Sequence, residues 1–182
     1  MVEIGEDWKM LGGEFSVTLD DASRIALPRR IREALETDKI VITRGLDKCL
    51  WLYTTDEWKK LADAIVDDTS VFDDGDRRIR RGIYGPNHEI DIDKQGRILI
   101  PPTLRIYAGL NKDCIVLGQH NYIEIWSEGR YQAYLDASEE EFKAACKRLA
   151  DRMKRERDLA YDSSRSGSVG TGSVLPGAEG RE

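Results

Sequence analysis

Two segments of this chain repeat each other at a fixed spacing, and that repetition restricts the available folds more than any other feature. The first reads Phe15-Ser-Val-Thr-Leu-Asp20-Asp-Ala-Ser-Arg24-Ile-Ala-Leu-Pro28, followed by Arg29-Arg-Ile-Arg32. The second reads His88-Glu-Ile-Asp-Ile-Asp93-Lys-Gln-Gly-Arg97-Ile-Leu-Ile-Pro101, followed by Pro102-Thr-Leu-Arg105. Matched positions differ by one constant: 93 − 20, 97 − 24, 101 − 28 and 105 − 32 all equal 73. Such an offset marks an internal duplication, in which each copy is a supersecondary unit that buries its apolar face against its neighbour.

Each copy follows the same grammar. A short alternating strand (Phe15 to Leu19; His88 to Ile92) meets a polar turn that begins with Asp, and a second apolar strand follows (Ile25 to Leu27; Ile98 to Ile100). Proline then opens a short helix, where its missing N–H costs nothing. Ile31 and Leu35, like Leu104 and Ala108, lie four apart on one helical face. Two further strands are predicted in each copy: Ile40 to Thr43 and Leu50 to Tyr53, then Cys114 to Leu117 and Tyr122 to Trp126. Thr54-x-x-Glu57 has the form of a capping box ahead of the stripe Trp58, Leu61, Ala62 and Ile65. Ser138-x-x-Glu141 has the same form and is expected to open a longer helix with Phe142, Cys146, Leu149 and Met153 in register.

Between the copies, acidic residues (Asp67, Asp68, Asp73, Asp74, Asp76) give way to the basic block Arg77-Arg-Ile-Arg-Arg81, which suits phosphate contact or the acidic linker of a neighbour. From Asp162 to Glu182 the chain is rich in Ser and Gly with almost no apolar content. It is expected to be disordered, because it cannot bury enough surface to offset chain entropy. The three cysteines, Cys49, Cys114 and Cys146, form no CxxC pair; their apolar neighbours suggest small buried hydrophobes rather than a disulfide framework or a zinc site. No apolar run approaches a membrane span. Met1 to Met10 has neither the basic start nor the apolar stretch of a secretory leader, so the cytoplasm is the expected compartment.

The net charge of -6 argues mildly against a nucleic-acid partner, yet binding depends on the local field rather than the total. An enzyme finds little support. His88 and His120 have no paired nucleophile and no metal-ligand spacing, and phosphate-cradling glycine motifs are absent. Trp51, Trp58 and Trp126 read as core or interface anchors.

The D-x-x-x-R turn followed by an apolar pair and Pro resembles the AbrB-type swapped-hairpin DNA-binding proteins. The MraZ family is closer still, through Met10-Leu-Gly-Gly-Glu-Phe15, Thr43-Arg-Gly-Leu-Asp-Lys-Cys-Leu-Trp-Leu-Tyr53, Ile92-Asp-Lys-Gln-Gly-Arg-Ile-Leu-Ile-Pro101 and Ile123-Glu-Ile-Trp126. The resemblance covers roughly Met10 to Tyr134. It implies a mainly β fold with short helices (α+β), in which two AbrB-like β-α-β repeats pair into one pseudo-two-fold swapped-hairpin β-barrel. The expected divisions are repeat 1 over 14–61, an inter-repeat helix and linker over 62–86, repeat 2 over 87–130, a C-terminal helical region over 131–161 and a disordered tail over 162–182.

The same resemblance implies a transcriptional regulator that binds short G-rich direct repeats upstream of the division and cell-wall gene cluster. Its partners would be double-stranded DNA and further copies of itself in a head-to-tail ring. It would act in the cytoplasm at the nucleoid, with no cofactor, metal or small-molecule substrate. An AbrB-like antitoxin or protein-interaction scaffold is the alternative. The expected DNA-binding residues are Arg24, Arg29, Arg30, Lys94 and Arg97, because an arginine fork can grip phosphate or the O6 and N7 of guanine. Asp20 and Asp93 are expected to support the turns, as Asp commonly does. The first copy departs from the family by carrying Ala22 and Ser23 where Lys-Gly is usual; the second keeps Lys94 and Gly96. The first turn therefore lacks the glycine that tolerates positive φ.

Overall fold

The structure is a computed structural model that describes residues 11–166, with the side chains of 160–166 left aside. Among the described residues, eight strands and five α-helices follow the duplicated grammar. Repeat 1 contributes β1 (Leu11–Thr18), β2 (Arg24–Ala26), α1 (Arg29–Leu35), β3 (Lys39–Arg44), β4 (Leu50–Thr54) and α2 (Thr55–Asp67). A linker holds α3 (Asp74–Ile79) and a π-helical turn (Arg80–Tyr84). Repeat 2 contributes β5 (His88–Asp91), β6 (Arg97–Leu99), α4 (Pro102–Ala108), β7 (Asp113–His120), β8 (Ile123–Ser127) and α5 (Glu128–Ser166). The chain divides into two compact units between Tyr134 and Leu135, within α5.

The strands do not pair within their own copies alone. A six-stranded sheet runs β1-β7-β8-β4-β3-β5, and β2 pairs separately with β6. The first strand of each copy thus joins the sheet of the other, β1 against β7 and β5 against β3, which is the swapped arrangement. The pairing is pseudo-two-fold at two junctions. Ile25 faces Ile98 across β2–β6 and Trp51 faces Glu124 across β4–β8; 98 − 25 and 124 − 51 both equal 73. One extra residue precedes β7 and one fewer lies in the β7–β8 turn. The offset is therefore 113 − 39 = 74 at the start of β7 and returns to 123 − 50 = 73 at β8. Hydrogen bonding leaves the six-stranded sheet open between β1 and β5, while the β2–β6 ribbon packs on one of its faces. Ile25, Ile98, Ile40, Ile42, Leu50, Leu52, Val116, Ile123 and Ile125 share one buried core there. Each fully buried Ile or Leu in it contributes on the order of 1.5–3 kcal/mol relative to exposure.

The opposite face of the sheet is also covered, which is why β3, β4, β7 and β8 read as apolar runs rather than strict alternation. Val41 and Tyr53 pack against Trp58 and Ala62 of α2; Ile115, Leu117 and Trp126 pack with Cys49, Trp51 and Tyr131. The Thr54 hydroxyl caps α2 by accepting from the Glu57 N–H at 3.2 Å, as the capping-box pattern predicts. The repeat of this junction is Ser127–Glu128, because 127 − 54 is again 73. Helix α5 therefore begins at Glu128, not at Ser138 as its S-x-x-E pattern suggests. No proline interrupts residues 128–138, and a Ser with Glu three positions on is equally compatible with a helix interior. Its C-terminal end also runs on to Ser166, past Asp162, where disorder was expected to begin; 167–182 lie outside the described residues.

Three arginines of the basic linker block, Arg77, Arg78 and Arg80, bond to their own chain. Arg77 and Arg78 pair with Asp74, and Arg77 also donates to the Val71 carbonyl. Arg80 donates to the Thr69 hydroxyl at 2.6 Å and to the carbonyls of Thr69 and Val66, tying the last turn of α2 to the linker. Free carbonyls at a helix C-terminus attract such donors. Cys49 and Cys114 are buried, but Cys146 is exposed, because α5 presents that position to solvent. Among the described residues no helix is long and apolar enough to cross a membrane, and no group of three or more His, Cys, Asp or Glu is placed to hold a metal.

Candidate nucleic-acid interface

The D-x-x-x-R spacing is the geometry of a closed turn. In repeat 2, the Asp93 N–H donates to the Arg97 carbonyl at 2.9 Å and the Gly96 N–H to the Asp93 carbonyl at 2.7 Å. The Asp93 carboxylate accepts from the N–H groups of Gln95 and Arg97 at 2.9 Å each, and from the Arg97 guanidinium at 2.9 Å. Its pKa is held below the usual carboxylate range, chiefly by the Arg97 N–H, then by the Arg97 side chain and the Gln95 N–H, while burial acts the other way. Repeat 1 reproduces the backbone. Asp20 N–H meets the Arg24 carbonyl at 2.9 Å, Ser23 N–H meets the Asp20 carbonyl at 2.9 Å, and Asp20 Oδ1 takes the Arg24 N–H at 2.8 Å. It does not reproduce the side-chain clamp. Among the described residues the Arg24 guanidinium has no hydrogen-bond or ion-pair partner, whereas Arg97 is tied to Asp93.

The fourth turn position is left-handed in both copies, with φ of 75° at Gly96 and 61° at Ser23. The turn geometry thus survives the loss of glycine in repeat 1. Each turn is braced by an arginine from the other repeat. Arg105 donates to the Ser23 hydroxyl, and Arg32 lies so close over Gly96 that a Cβ there would meet Arg32 Cδ at 2.5 Å. Arg32 and Arg105 are equivalent, as 105 − 32 = 73, and this bracing explains their recurrence in both copies. Backbone bonds complete the exchange: Leu27 N–H to the Gly96 carbonyl and Ile100 N–H to the Ser23 carbonyl, both 2.9 Å.

These contacts place the candidate cations. In β2–β6, Ile25 and Ile98 point inward, and the outer face carries Arg24, Ala26, Arg97 and Leu99. Arg24 faces Leu99 and Arg97 faces Ala26, so the two arginines are diagonal neighbours, about 7–8 Å apart at their Cα atoms. The swapped hairpins bring the repeat 2 turn, with Lys94 and Arg97, beside the start of α1, with Arg29 and Arg30. Arg24 lies at the other end of the ribbon, beside the start of α4, where Pro102 and Thr103 replace the arginine pair. The ribbon is therefore more basic at one end. Arg29 is fully exposed and paired with Glu33 at 2.6 Å, which raises its pKa through the hydrogen bond and the charge of Glu33. Arg30 and Lys94 are exposed and have no ion pair among the described residues.

A second polar cluster marks the other pseudo-two-fold junction. Glu124 accepts from the indole N–H of Trp51 at 3.3 Å, that of Trp126 at 2.9 Å and the Tyr122 hydroxyl at 3.4 Å. Burial first, and Glu124 next, push the Tyr122 pKa up to about 12. This cluster joins the repeats and has no place on the ribbon. The exchange of Trp51 for Glu124 at matched positions was its available sequence signal.

A family profile described as "MraZ protein, putative antitoxin-like" matches this chain twice, over residues 10–82 and 83–153. The protein of Treponema denticola named transcriptional regulator MraZ is 44% identical over 139 residues, covering 76% of this chain and 96% of that protein. Proteins of the same name from Thermomicrobium roseum and Ligilactobacillus salivarius are 42% and 41% identical, each covering 78% of this chain and 98% of the relative. The profile fits both repeats and the relatives align over nearly their whole lengths, so the chain belongs to the MraZ family.

Proposed function

We propose that this protein is a DNA-binding transcriptional regulator that reads short direct repeats upstream of the division and cell-wall gene cluster as a head-to-tail ring. The observation that carries this reading is the outer face of the β2–β6 ribbon, where the Arg24 guanidinium has no partner among the described residues and Arg97 is held rigid by Asp93. A bidentate arginine on a rigid element suits base readout, and the exposed Arg29, Arg30 and Lys94 at one end of the ribbon suit phosphate contact. Asp20 and Asp93 serve the turns. A protein with a net charge of -6 gains its attraction for DNA only from such a local field. One ribbon offers few contacts, so affinity rests on several ribbons engaging several boxes, with avidity of roughly 10²–10⁴ over a single box. Unlike surfaces meeting head-to-tail close into rings and present their ribbons in one sense along the DNA, which matches direct rather than inverted repeats.

Gel-shift titrations on one, two and three tandem boxes, with light scattering of the free protein, test the proposal. Affinity should rise steeply with box number and fall steeply with salt, and the free particle should be many times 20.7 kDa. Equal affinity for all three DNAs, or a stable monomer at micromolar concentration, would overturn it.

A further inference from the structure

Helix α5 carries an apolar seam that is exposed among the described residues. Phe142, Cys146, Leu149 and Met153 are spaced four, three and four residues apart, the 3.5-residue period of a coiled-coil stripe, and Leu135 lies one heptad before Phe142. Every one of them is exposed: Phe142 67%, Met153 60%, Leu149 47% and Leu135 42%. A solvated helix has no need of four consecutive seam positions filled by Phe, Cys, Leu and Met.

The charges along α5 specify what covers the seam. From Leu135 to Ala145 the helix carries Asp136, Glu139, Glu140 and Glu141 against Lys143 alone. From Cys146 to Leu159 it carries Lys147, Arg148, Arg152, Lys154, Arg155 and Arg157 against Asp151, Glu156 and Asp158. The two halves are -3 and +3 by the same count. A parallel partner of the same sequence would lay acid on acid and base on base, and would set Arg152 against Arg157 at flanking positions. An antiparallel copy matches the acidic half to the basic half at both ends.

We infer that α5 pairs antiparallel with α5 of a second copy of this chain, Phe142 against Met153 and Cys146 against Leu149. This register centres four apolar layers on the two-fold axis and sets Asp136 beside Arg157 of the other copy at the flanking positions. The contact is isologous, unlike the head-to-tail contact of the proposed ring, and uses no residue of the β2–β6 ribbon.

Cross-linking of the full chain in a Cys146→Ser background tests both partner and direction. Under copper-phenanthroline oxidation, the double variant Phe142→Cys/Met153→Cys should form an interchain disulfide that migrates as a dimer without reductant. Phe142→Cys alone and Met153→Cys alone should not. In parallel, Leu149→Glu should lower the particle mass by light scattering at unchanged helical content, and 1 M salt should weaken the pairing. Cross-linking of the single variants as readily as the double, or no cross-link in any of them, would overturn the inference, as would an unchanged mass for Leu149→Glu. The DNA titrations report on the ribbon separately, so either proposal can fail alone.

Discussion

Gly96→Ala isolates the two constraints on the repeat 2 turn. Gly96 has φ of 75°, a left-handed conformation that costs a residue with a Cβ about 1–2 kcal/mol. Part of that, roughly 0.4–1 kcal/mol, is offset because alanine lowers the entropy of the unfolded chain. The new methyl would also sit 2.5 Å from Arg32 Cδ and 2.6 Å from its Nε, so Arg32 must swing away. Its 3.2 Å hydrogen bond to the Leu27 carbonyl is then lost, for about 0.5–1.5 kcal/mol. The net loss is about 0.5–3 kcal/mol. It should appear as a lower denaturant midpoint at unchanged m, measured at one protein concentration because assembly contributes to apparent stability. In an Arg32→Ala background only the backbone strain remains, and the cost should fall below about 1.5 kcal/mol, the two sites coupling as neighbours do. A Gly96→Ala protein as stable as the parent, or one with the same loss in both backgrounds, would refute the reasoning.

Arg24→Ala should weaken binding to a single box by about 1–3 kcal/mol and relax its sequence preference, while Arg97→Ala also loosens the turn; anisotropy titrations on matched and mutated boxes separate these effects. The lowered pKa of Asp93 means that its contribution is fully present above the unfolded value of about 3.9 and is lost as pH falls through the lower folded value. Asp93→Asn should therefore flatten the acid limb of a Tm-against-pH curve below about pH 4 and leave the slope near neutrality unchanged. Burial pushes the Cys49 thiol up to about 12 and the Cys114 thiol up to about 11, so both should resist thiol reagents in the folded protein. In a Cys146→Ser variant, a chromogenic disulfide reagent at pH 8 should titrate no thiol before denaturation and two afterwards.

What the sequence determined by itself was local or periodic. The 73-residue offset, the Asp-led turns, the Pro-started helices and the Thr54 cap all rest on residues within a few positions of one another, where backbone preference and side-chain reach suffice. Arg24 and Arg97 stood out as candidates for the same reason, since they alone of the candidate cations recur at one place in a local turn. The tertiary structure decided everything that joins distant segments. It set β1 against β7 and β5 against β3, placed Arg32 over Gly96 and Arg105 on Ser23, and so brought Lys94 beside Arg29 and Arg30 while leaving Arg24 at the other end of the ribbon. It also started α5 at Glu128 and bonded Arg77 and Arg78 to Asp74 and Arg80 to Thr69. These outcomes depend on register, and a strand's register is chosen by which partner buries its apolar face, a property of two segments together rather than of either alone.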